Sequence, residues 1–173
     1  MDKRLANDSL TIKTAQILPP DTNAYGTLFG GKLMAYIDDV ALIAAVRHSR
    51  HTCVTASTDS VDFLAPVKLG DFVILEAFVT STHKTSMEVF VKALTESFET
   101  GEKKVCATAF LTFVALNEDD IPIPVPGVIP ESPQQLELFD SASLRRKRRS
   151  EKRRQSIKMA KEFSGEIIKR KER

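Results

Sequence analysis

Two adjacent carboxylates, Asp38 and Asp39, stand in a stretch of sequence that is otherwise apolar between Leu33 and Val46. The stretch has no glycine or proline and no polar stripe, so it predicts a helix that is hydrophobic on all sides and therefore buried. A buried carboxylate is costly unless it finds donors, and ionisable groups held in such places are often functional. Asp38 is therefore a candidate general base. The alternative interpretation is a structural aspartate that caps a neighbouring loop.

The register of the predicted helix separates the two carboxylates. Since one of two neighbouring residues should point toward the rim, Asp39 is the weaker candidate. Asp38 shares a face with residues three, four and seven positions away, which are Met34, Ala41, Leu42 and Ala45.

Several other chemistries lack the residues they need. The sequence has no Gly-x-Ser-x-Gly elbow and no phosphate-loop or dinucleotide glycine fingerprint. His48, His51 and His83 are not paired at a spacing of four, so no metal site is expected. An enzyme with this sequence would work with a carboxylate, amide donors and a helix N-terminus.

The elements that would position these groups are one strand, one helix and then four strands. The helix opens at Gly30-Gly31 and ends around Arg47 or His48, whose charges complement its C-terminal dipole. Long antiparallel strands after one wholly apolar helix predict an α+β fold with the sheet curled around that helix. A helix so apolar needs more than one sheet to cover it, so association is expected. The strands are predicted over residues 9–17, 54–63, 72–80, 86–98 and 104–116.

The charge distribution and the prolines divide the chain in two. Residues 144–173 hold 14 of the 25 Lys and Arg residues but only 4 of the 23 Asp and Glu residues, so the remainder is acidic. A proline-rich run begins at Ile121-Pro122 and excludes a sheet interior or a helix. We therefore predict a globular domain over residues 1–130. Residues 131–173 are predicted to be an extended connector followed by a basic helix or disordered arm.

The sequence also indicates the compartment. No apolar run is long enough to span a bilayer, and the N-terminus lacks a signal-type apolar block. Cys53 and Cys106 are far apart and lie in strand-like stretches, which is typical of buried free thiols in a reducing compartment. We expect a cytoplasmic protein.

A series of short motifs resembles the hotdog-fold acyl-CoA thioesterases over roughly residues 8–132. Each motif is weak by itself, but together and in this order they are specific. The motifs are Asp21-Thr22-Asn23, Gly26, Phe29-Gly30-Gly31, Ile37-Asp38, Ala45-Val46-Arg47-His48, Val54-Thr55-Ala56-Ser57, Asp62-Phe63-Leu64-Ala65-Pro66-Val67, Gly70-Asp71, Thr82-His83-Lys84-Thr85-Ser86-Met87-Glu88-Val89 and Phe113-Val114-Ala115-Leu116-Asn117.

The resemblance implies a central helix wrapped by an antiparallel sheet, homodimers with a continuous sheet, and hexamers built as trimers of dimers. It implies an acyl-CoA hydrolase that releases a free fatty acid and needs no cofactor, because coenzyme A is part of the substrate. By position, the catalytic pair of the family falls on Asn23 and Asp38, supplied by different subunits. Where family members carry His-Gly-Gly this chain has Phe29-Gly30-Gly31, which removes any role for a histidine there.

The mechanism expected from these residues is direct hydrolysis. Backbone N–H groups at Gly30 and Gly31 would hold the oxyanion, and Asp38 would activate a water that Asn23 orients. Attack by Asp38 itself through an anhydride is the alternative. A turn residue without a catalytic role is the alternative for Asn23. Arg47, Lys68, Lys84 and Ser86 are candidate contacts for coenzyme A, with solvated surface positions as the alternative for each cation.

Two rival functions follow from the same sequence. A hotdog dehydratase would require a catalytic histidine near a carboxylate, and the active-site loop offers none. An acyl-CoA-sensing regulator could use the basic tail to bind nucleic acid. It would be expected to carry a helix-turn-helix, which residues 131–173 do not suggest. Apart from Phe163, no aromatic residue for base stacking accompanies the basic runs Arg145-Arg146-Lys147-Arg148-Arg149 and Lys152-Arg153-Arg154, so nucleic acid is not the expected partner.

Overall fold

The structure, a computed structural model, describes residues 2–163, and one long helix packed on a five-stranded sheet dominates it. Short 3₁₀ turns lie at Ala6–Ser9 and Pro19–Asp21. Along the chain the helices and strands are β1 Lys3–Leu5, β2 Thr11–Gln16, α1 Gly30–Ser49, β3 Thr52–Phe63, β4 Phe72–Thr82, β5 Ser86–Glu96, β6 Lys103–Leu116, β7 Gly127–Ile129 and α2 Pro133–Phe163.

The large sheet is antiparallel throughout, with the strand order β2-β4-β5-β6-β3. Its strands alternate in burial because every second side chain faces α1. In β5, for example, Met87, Val89 and Val91 are fully buried against the helix side. The predicted hotdog fold, an α+β arrangement of one apolar helix and a curled antiparallel sheet, is confirmed.

The helix α1 is buried on one side only, so the prediction of burial on all sides is wrong for a single chain. Met34, Ile43 and Val46 are 46%, 40% and 39% exposed. The sheet covers only one face of the helix, and no other layer within residues 2–139 reaches the opposite face. The side chains of α1 that face the sheet are Leu33, Ile37, Val40, Ala41, Ala44, Ala45 and His48.

The two ends of the compact region are joined by a parallel pair of strands that the sequence did not predict. Strand β1 pairs with β7, so the proline-rich run leads into a strand. No extended connector follows it, because Pro133 opens α2 directly, at a position where its missing N–H is no loss. The side chain of Gln135 donates to the Asn7 side chain at 2.9 Å. Where we expected a domain boundary near residue 130, the first compact unit continues to Phe139 and a second begins at Asp140.

From Asp140 onward the described chain is one uninterrupted helix with mostly exposed basic side chains. Residues 164–173, which belong to the predicted basic tail, lie outside the described residues. Between 131 and 163 a second helix is lacking, so this stretch holds no helix-turn-helix. Neither helix within residues 2–163 combines the length and apolar character needed to cross a bilayer.

Candidate active site

Asp38 lies on the open side of α1 and is held by a threonine of the edge strand. The Thr55 hydroxyl donates to the Asp38 Oδ1 at 2.8 Å. Asp38 is partly exposed, and its surroundings on this side are apolar side chains without a covering layer. The carboxylate is therefore oriented and accessible at once, which suits a group that must meet a water and a substrate.

Asp39 has a different environment. Its carboxylate forms an ion pair with Lys13 of β2, and its side chain is 50% exposed. The Lys13 ammonium also lies 4.8 Å from the ring centroid of Tyr36. This arrangement is a surface charge cluster, which gives Asp39 a structural partner away from Asp38.

The start of α1 offers two backbone donors. Phe29 is the N-cap residue, and it supplies no side-chain hydrogen bond to the helix. Its carbonyl accepts from the N–H groups of Lys32 and Leu33, so within the described residues those of Gly30 and Gly31 have no recorded acceptor. Free N–H groups at a helix N-terminus favour negative charge.

The glycine at position 31 lets the Phe29 ring approach the helix start closely. A Cβ atom there would lie 2.5 Å from that ring, so the ring, which is 58% exposed, would have to move. At Gly30 the nearest atom to such a Cβ would be 3.7 Å away, in the Phe63 ring, which is an ordinary contact. The observed position of Phe29 is therefore compatible with glycine at position 31.

Asn23 sits in a tight loop that closes just before the helix. Its Oδ1 accepts from the backbone N–H of Tyr25 at 2.9 Å and of Thr27 at 3.3 Å. Its Nδ2 donates to the Thr27 hydroxyl at 3.0 Å. The loop is tied to the helix start because the Phe29 N–H donates to the Asp21 carbonyl. The amide of Asn23 thus has the turn role foreseen as its alternative, and within residues 2–163 one of its two N–H donors has no partner.

An apolar cavity of about 300 Å³ adjoins the helix start. It lies between α1 and the chain segment that leaves β3. Its size and lining suit a hydrocarbon group next to the N–H donor of Gly30. The lining residues are Leu28, Gly30, Leu33, Phe63, Leu64, Ala65, Pro66 and Val67.

The four candidate contacts for coenzyme A are not brought together within one chain. Arg47 donates to the Leu10 carbonyl at 2.5 Å and to the Thr11 hydroxyl at 3.1 Å, so it braces its own subunit. Lys68 lies before β4, whereas Lys84 and Ser86 lie at the hairpin after it. The 11 residues of β4 separate these positions by about 35 Å.

Thr55 is a site residue that sequence reasoning missed. It belongs to a motif quoted for the resemblance, yet on an alternating strand it looks like any β-branched residue. Its signal was the face it shares with buried Cys53, two residues earlier, because that face looks toward α1.

Both cysteines are free and buried, as predicted, and burial raises the pKa of Cys106 to about 11.

The chain is similar to known proteins along most of its length. The Thioesterase superfamily model matches residues 25–101. The chain is 48% identical over 159 residues to YkhA of Bacillus subtilis, named as an uncharacterized acyl-CoA thioester hydrolase, and covers 92% of each chain. It spans only 23–32% of the length of several mammalian acyl-CoA thioesterases that it also matches.

Two solved structures share the fold along most of the chain. The acyl-CoA hydrolase of Staphylococcus aureus, solved with butyryl coenzyme A and coenzyme A, is 39% identical with a TM-score of 0.89. The match covers 94% of this chain and 99% of that one. A hexameric acyl-CoA thioesterase is 43% identical with a TM-score of 0.86, covering 88% and 97%.

The Staphylococcus aureus hydrolase was also solved as three alanine variants. They replace an asparagine, an aspartate fifteen positions later and a threonine seventeen positions after that. In the present chain Asn23, Asp38 and Thr55 have the same residue types at the same two spacings. No cluster of three potential metal ligands occurs in the part of the chain that the structure describes.

Proposed function

The chain belongs to the acyl-CoA thioester hydrolases of the thioesterase superfamily, and we propose that it hydrolyses acyl-CoA to a free fatty acid and coenzyme A. One observation carries the proposal. Helix α1 carries a partly exposed carboxylate, Asp38, which Thr55 of β3 orients. The start of the same helix presents two free N–H groups beside an apolar cavity. Thioester hydrolysis needs these three parts, which are a base, an oxyanion site and a pocket for the acyl chain.

The oxyanion site is assigned to Gly30 and Gly31. Their N–H groups point out of the helix start, where the dipole favours the negative charge that develops on the carbonyl oxygen. Donors of this kind each contribute about 3–4 kcal/mol to the transition state in known oxyanion holes. The cavity beside Gly30 would take the acyl chain.

The base for that oxyanion site comes from a second subunit. Eight residues of helix separate Gly30 from Asp38, which is about 12 Å along the axis. In the reaction, the N–H donor binds the carbonyl oxygen while the carboxylate binds the attacking water. The donor nitrogen and the carboxylate oxygen can then be only about 6–7 Å apart. Asp38 of one subunit therefore serves the helix start of its partner, and a symmetric dimer has two such sites.

The open side of α1 supports this dimer. Besides Met34, Ile43 and Val46 it continues onto the end of β3 and the segment after it, where Phe63 and Leu64 are 54% and 60% exposed. Strand β3 is an edge of the sheet, so a second copy could extend the sheet and cover the patch together. The hexameric relatives support a trimer of such dimers.

In the mechanism we propose, Asp38 takes a proton from the attacking water, and Thr55 fixes the carboxylate. Asn23 donates its remaining amide hydrogen to that water or to the substrate carbonyl. Direct attack by Asp38 to form an anhydride is the alternative chemistry. Hydrolysis in ¹⁸O-labelled water distinguishes them, because only the nucleophilic route leaves label in the Asp38 carboxylate.

Coenzyme A would then contact the protein at two separate places. One contact is Lys68, and the other is formed by Lys84 with Ser86. Arg47 could reach the substrate only by breaking its hydrogen bonds to Leu10 and Thr11. The proposal needs no metal or other cofactor, because the chemistry uses side chains and backbone donors. A cytoplasmic location remains part of the proposal.

Mixing two inactive variants tests the shared site. Asn23→Ala and Asp38→Ala should each be nearly inactive in an assay of thiol release. When the two are unfolded together and reassembled, about half the dimers are mixed, and each mixed dimer keeps one intact cleft. Roughly a quarter of wild-type activity should return. Recovery no greater than that of either variant reassembled alone would place both groups in one subunit and refute the shared site.

A further inference from the structure

The loop before α1 places a carboxylate next to the proposed oxyanion site. The backbone carbonyl of Asp21 accepts the N–H of Phe29 at 2.9 Å, and Phe29 directly precedes Gly30. Covalent geometry then keeps the Asp21 carboxylate within about 10 Å of the Gly30 nitrogen. The Asp21 side chain is only 15% exposed, so water and salt screen its charge incompletely. Left alone, this charge would repel an oxyanion on the helix start.

Lys32, in the first turn of α1, pairs with that carboxylate. Its Nζ lies 3.1 Å from the Asp21 Oδ1. The same ammonium group lies 5.2 Å from the ring centroid of Tyr36, one turn further along the helix. The hydrogen bond with Asp21 and the charge of the carboxylate raise the pKa of Lys32, which therefore stays protonated. Within residues 2–163 no other side chain forms an ion pair with Asp21.

The pair has two separable effects on the site. It ties the loop that carries Asn23 to the first turn of the helix, because Asp21 is two residues before Asn23. It also cancels the negative charge beside the N–H donors of Gly30 and Gly31. Removal of either partner loosens the tie, but only removal of the lysine leaves an unpaired carboxylate. The two effects can therefore be distinguished by substitution.

We propose that Lys32 is a positioning residue of the hydrolysis reaction, which neutralises Asp21 so that the helix start retains its preference for an oxyanion. This role, which rests on the proposed function, is indirect, because Lys32 acts through Asp21 and does not touch the reacting atoms. Two unit charges at such a distance, in a partly screened site, change a rate by roughly tenfold. The repulsion arises mainly in the transition state, where the carbonyl oxygen becomes negative.

Steady-state kinetics of thiol release test this role. Lys32→Met should lower kcat about tenfold with little change in KM, because the unpaired carboxylate opposes a charge that exists only in the transition state. Lys32→Arg keeps the positive charge and should retain most of the wild-type kcat. Asp21→Asn loses the tie but leaves no carboxylate, so its kcat should fall by no more than about threefold.

The double variant gives the sharpest result. Asp21→Asn combined with Lys32→Met removes both charges, so its kcat should exceed that of Lys32→Met and approach that of Asp21→Asn. A pair that only fastens the loop predicts the opposite, since the double variant would then be as slow as Lys32→Met. Failure of this rescue would overturn the proposed role.

Lys92→Met is the matched control, because it also leaves a partly exposed carboxylate unpaired. The Lys92 Nζ lies 2.6 Å from the Glu76 Oε2, and the two side chains are 28% and 32% exposed. Both project from the face of the sheet opposite α1, since Val91, the neighbour of Lys92 in β5, is buried on the helix side. The kcat of Lys92→Met should equal that of wild type.

The melting temperatures of the variants separate charge from stability. Lys32→Met and Lys92→Met should melt alike, because each loses one ion pair near the surface. A kcat that falls in step with the melting temperature across the variants would make the role structural and overturn it. An equal loss of kcat in Lys92→Met, or an unchanged kcat in Lys32→Met, would overturn it as well.

The same assay separates this role from the proposed function. Wild-type protein that releases no thiol from any acyl-CoA would refute the proposed function and the role of Lys32 with it. An active wild type without rescue in the double variant would refute the role of Lys32 alone.

Discussion

The two sides of α1 have similar apolar residues but different surroundings. Toward the sheet, Ile37 and Val40 are 2% and 0% exposed, and the packing is complete within one chain. On the opposite side, Met34 and Val46 remain open, and this side carries Asp38, which Thr55 of the neighbouring strand orients. One helix thus has a face for folding and, in the proposed dimer, a face for assembly and chemistry.

The apolar composition of a helix therefore indicates that it is buried, but not whether its own chain or another subunit buries it. A helix that is hydrophobic all round needs a neighbour on every side. Within this chain the sheet supplies one side, and the other side keeps exposed apolar side chains. The candidate base lies on the side that the chain's own sheet leaves open.

The largest effect should come from the open side at its carboxylate. Asp38→Asn should lower thioester turnover by at least about a hundredfold with little loss of acyl-CoA affinity, because it removes the base and keeps the shape. Measurement of kcat and KM by thiol release checks this. Asp39→Asn, which loses only the surface pair with Lys13, should stay near wild type. If instead Asp39→Asn is the inactive variant, the assignment of the base is wrong.

On the side of α1 that faces the sheet, truncation of a side chain to alanine should lower stability. Ile37→Ala leaves a cavity in a well-packed core and should cost about 2–5 kcal/mol in the free energy of unfolding. Met34→Ala, on the open side, should cost less than Ile37→Ala, and its cost should shrink on dilution, because a contact between subunits contributes to stability only while the protein is associated. Urea denaturation at two protein concentrations measures both. Equal, concentration-independent losses would remove the distinction between the two faces.

A charge on the open side should weaken assembly. Val46→Asp places a carboxylate where an apolar contact between subunits is proposed, and burying it unpaired is unfavourable. The dissociation constant should rise at least about tenfold, and sedimentation velocity at a series of concentrations would measure the change. Ile121→Asp, at an exposed turn, is the control and should assemble as wild type. Unchanged assembly of Val46→Asp would place the interface elsewhere.

The smallest effect concerns the pH dependence of stability at His48, near the C-terminal end of α1 on the side that faces the sheet. Burial lowers the pKa of the His48 imidazole, against the opposing effect of its hydrogen bond with the Pro126 carbonyl. The unfolded chain, with a pKa near 6.5, therefore binds the proton first. Stability is complete above that pH and falls as the pH drops below it, by at most about 1.4 kcal/mol per pH unit for one proton.

Urea denaturation of His48→Gln between pH 7.5 and 5.5 should show a smaller pH dependence than wild type. His51→Gln is the matched control, because His51 is exposed, and it should keep the wild-type slope. The same slope in all three proteins would show that another group is responsible.

Most of the fold followed from the sequence because alternation and helix composition are local signals. The five long strands and α1 were predicted within a few residues of their bounds. The pairing of β1 with β7 could not be predicted in this way, because it joins three-residue segments at opposite ends of the compact unit. The extended connector predicted from residue 131 is replaced by a helix from Pro133, because a proline also begins helices well.

The candidate site was less readable for a similar reason. Asp38 is visible because a carboxylate in an apolar helix is conspicuous. The bracing of Arg47 and the local bonds of Asn23 depend on loops whose closure no spacing reveals. The proposed interface was implied by the apolar composition of α1, but only the structure shows which residues remain open.

The edge strand β3 contains two irregularities, where Ala56 and Asp59 are each one residue more than β6 provides. A single extra residue reverses the alternation of side chains, and a second restores it. Thr55 before them and Phe63 after them therefore both face α1. In the inheritance of this gene, loss of either extra codon would remove one irregularity and leave Phe63 opposite Ala107, on the side of the acyl cavity. Shortening of this strand should therefore be tolerated at these two positions more readily than at the paired positions between them.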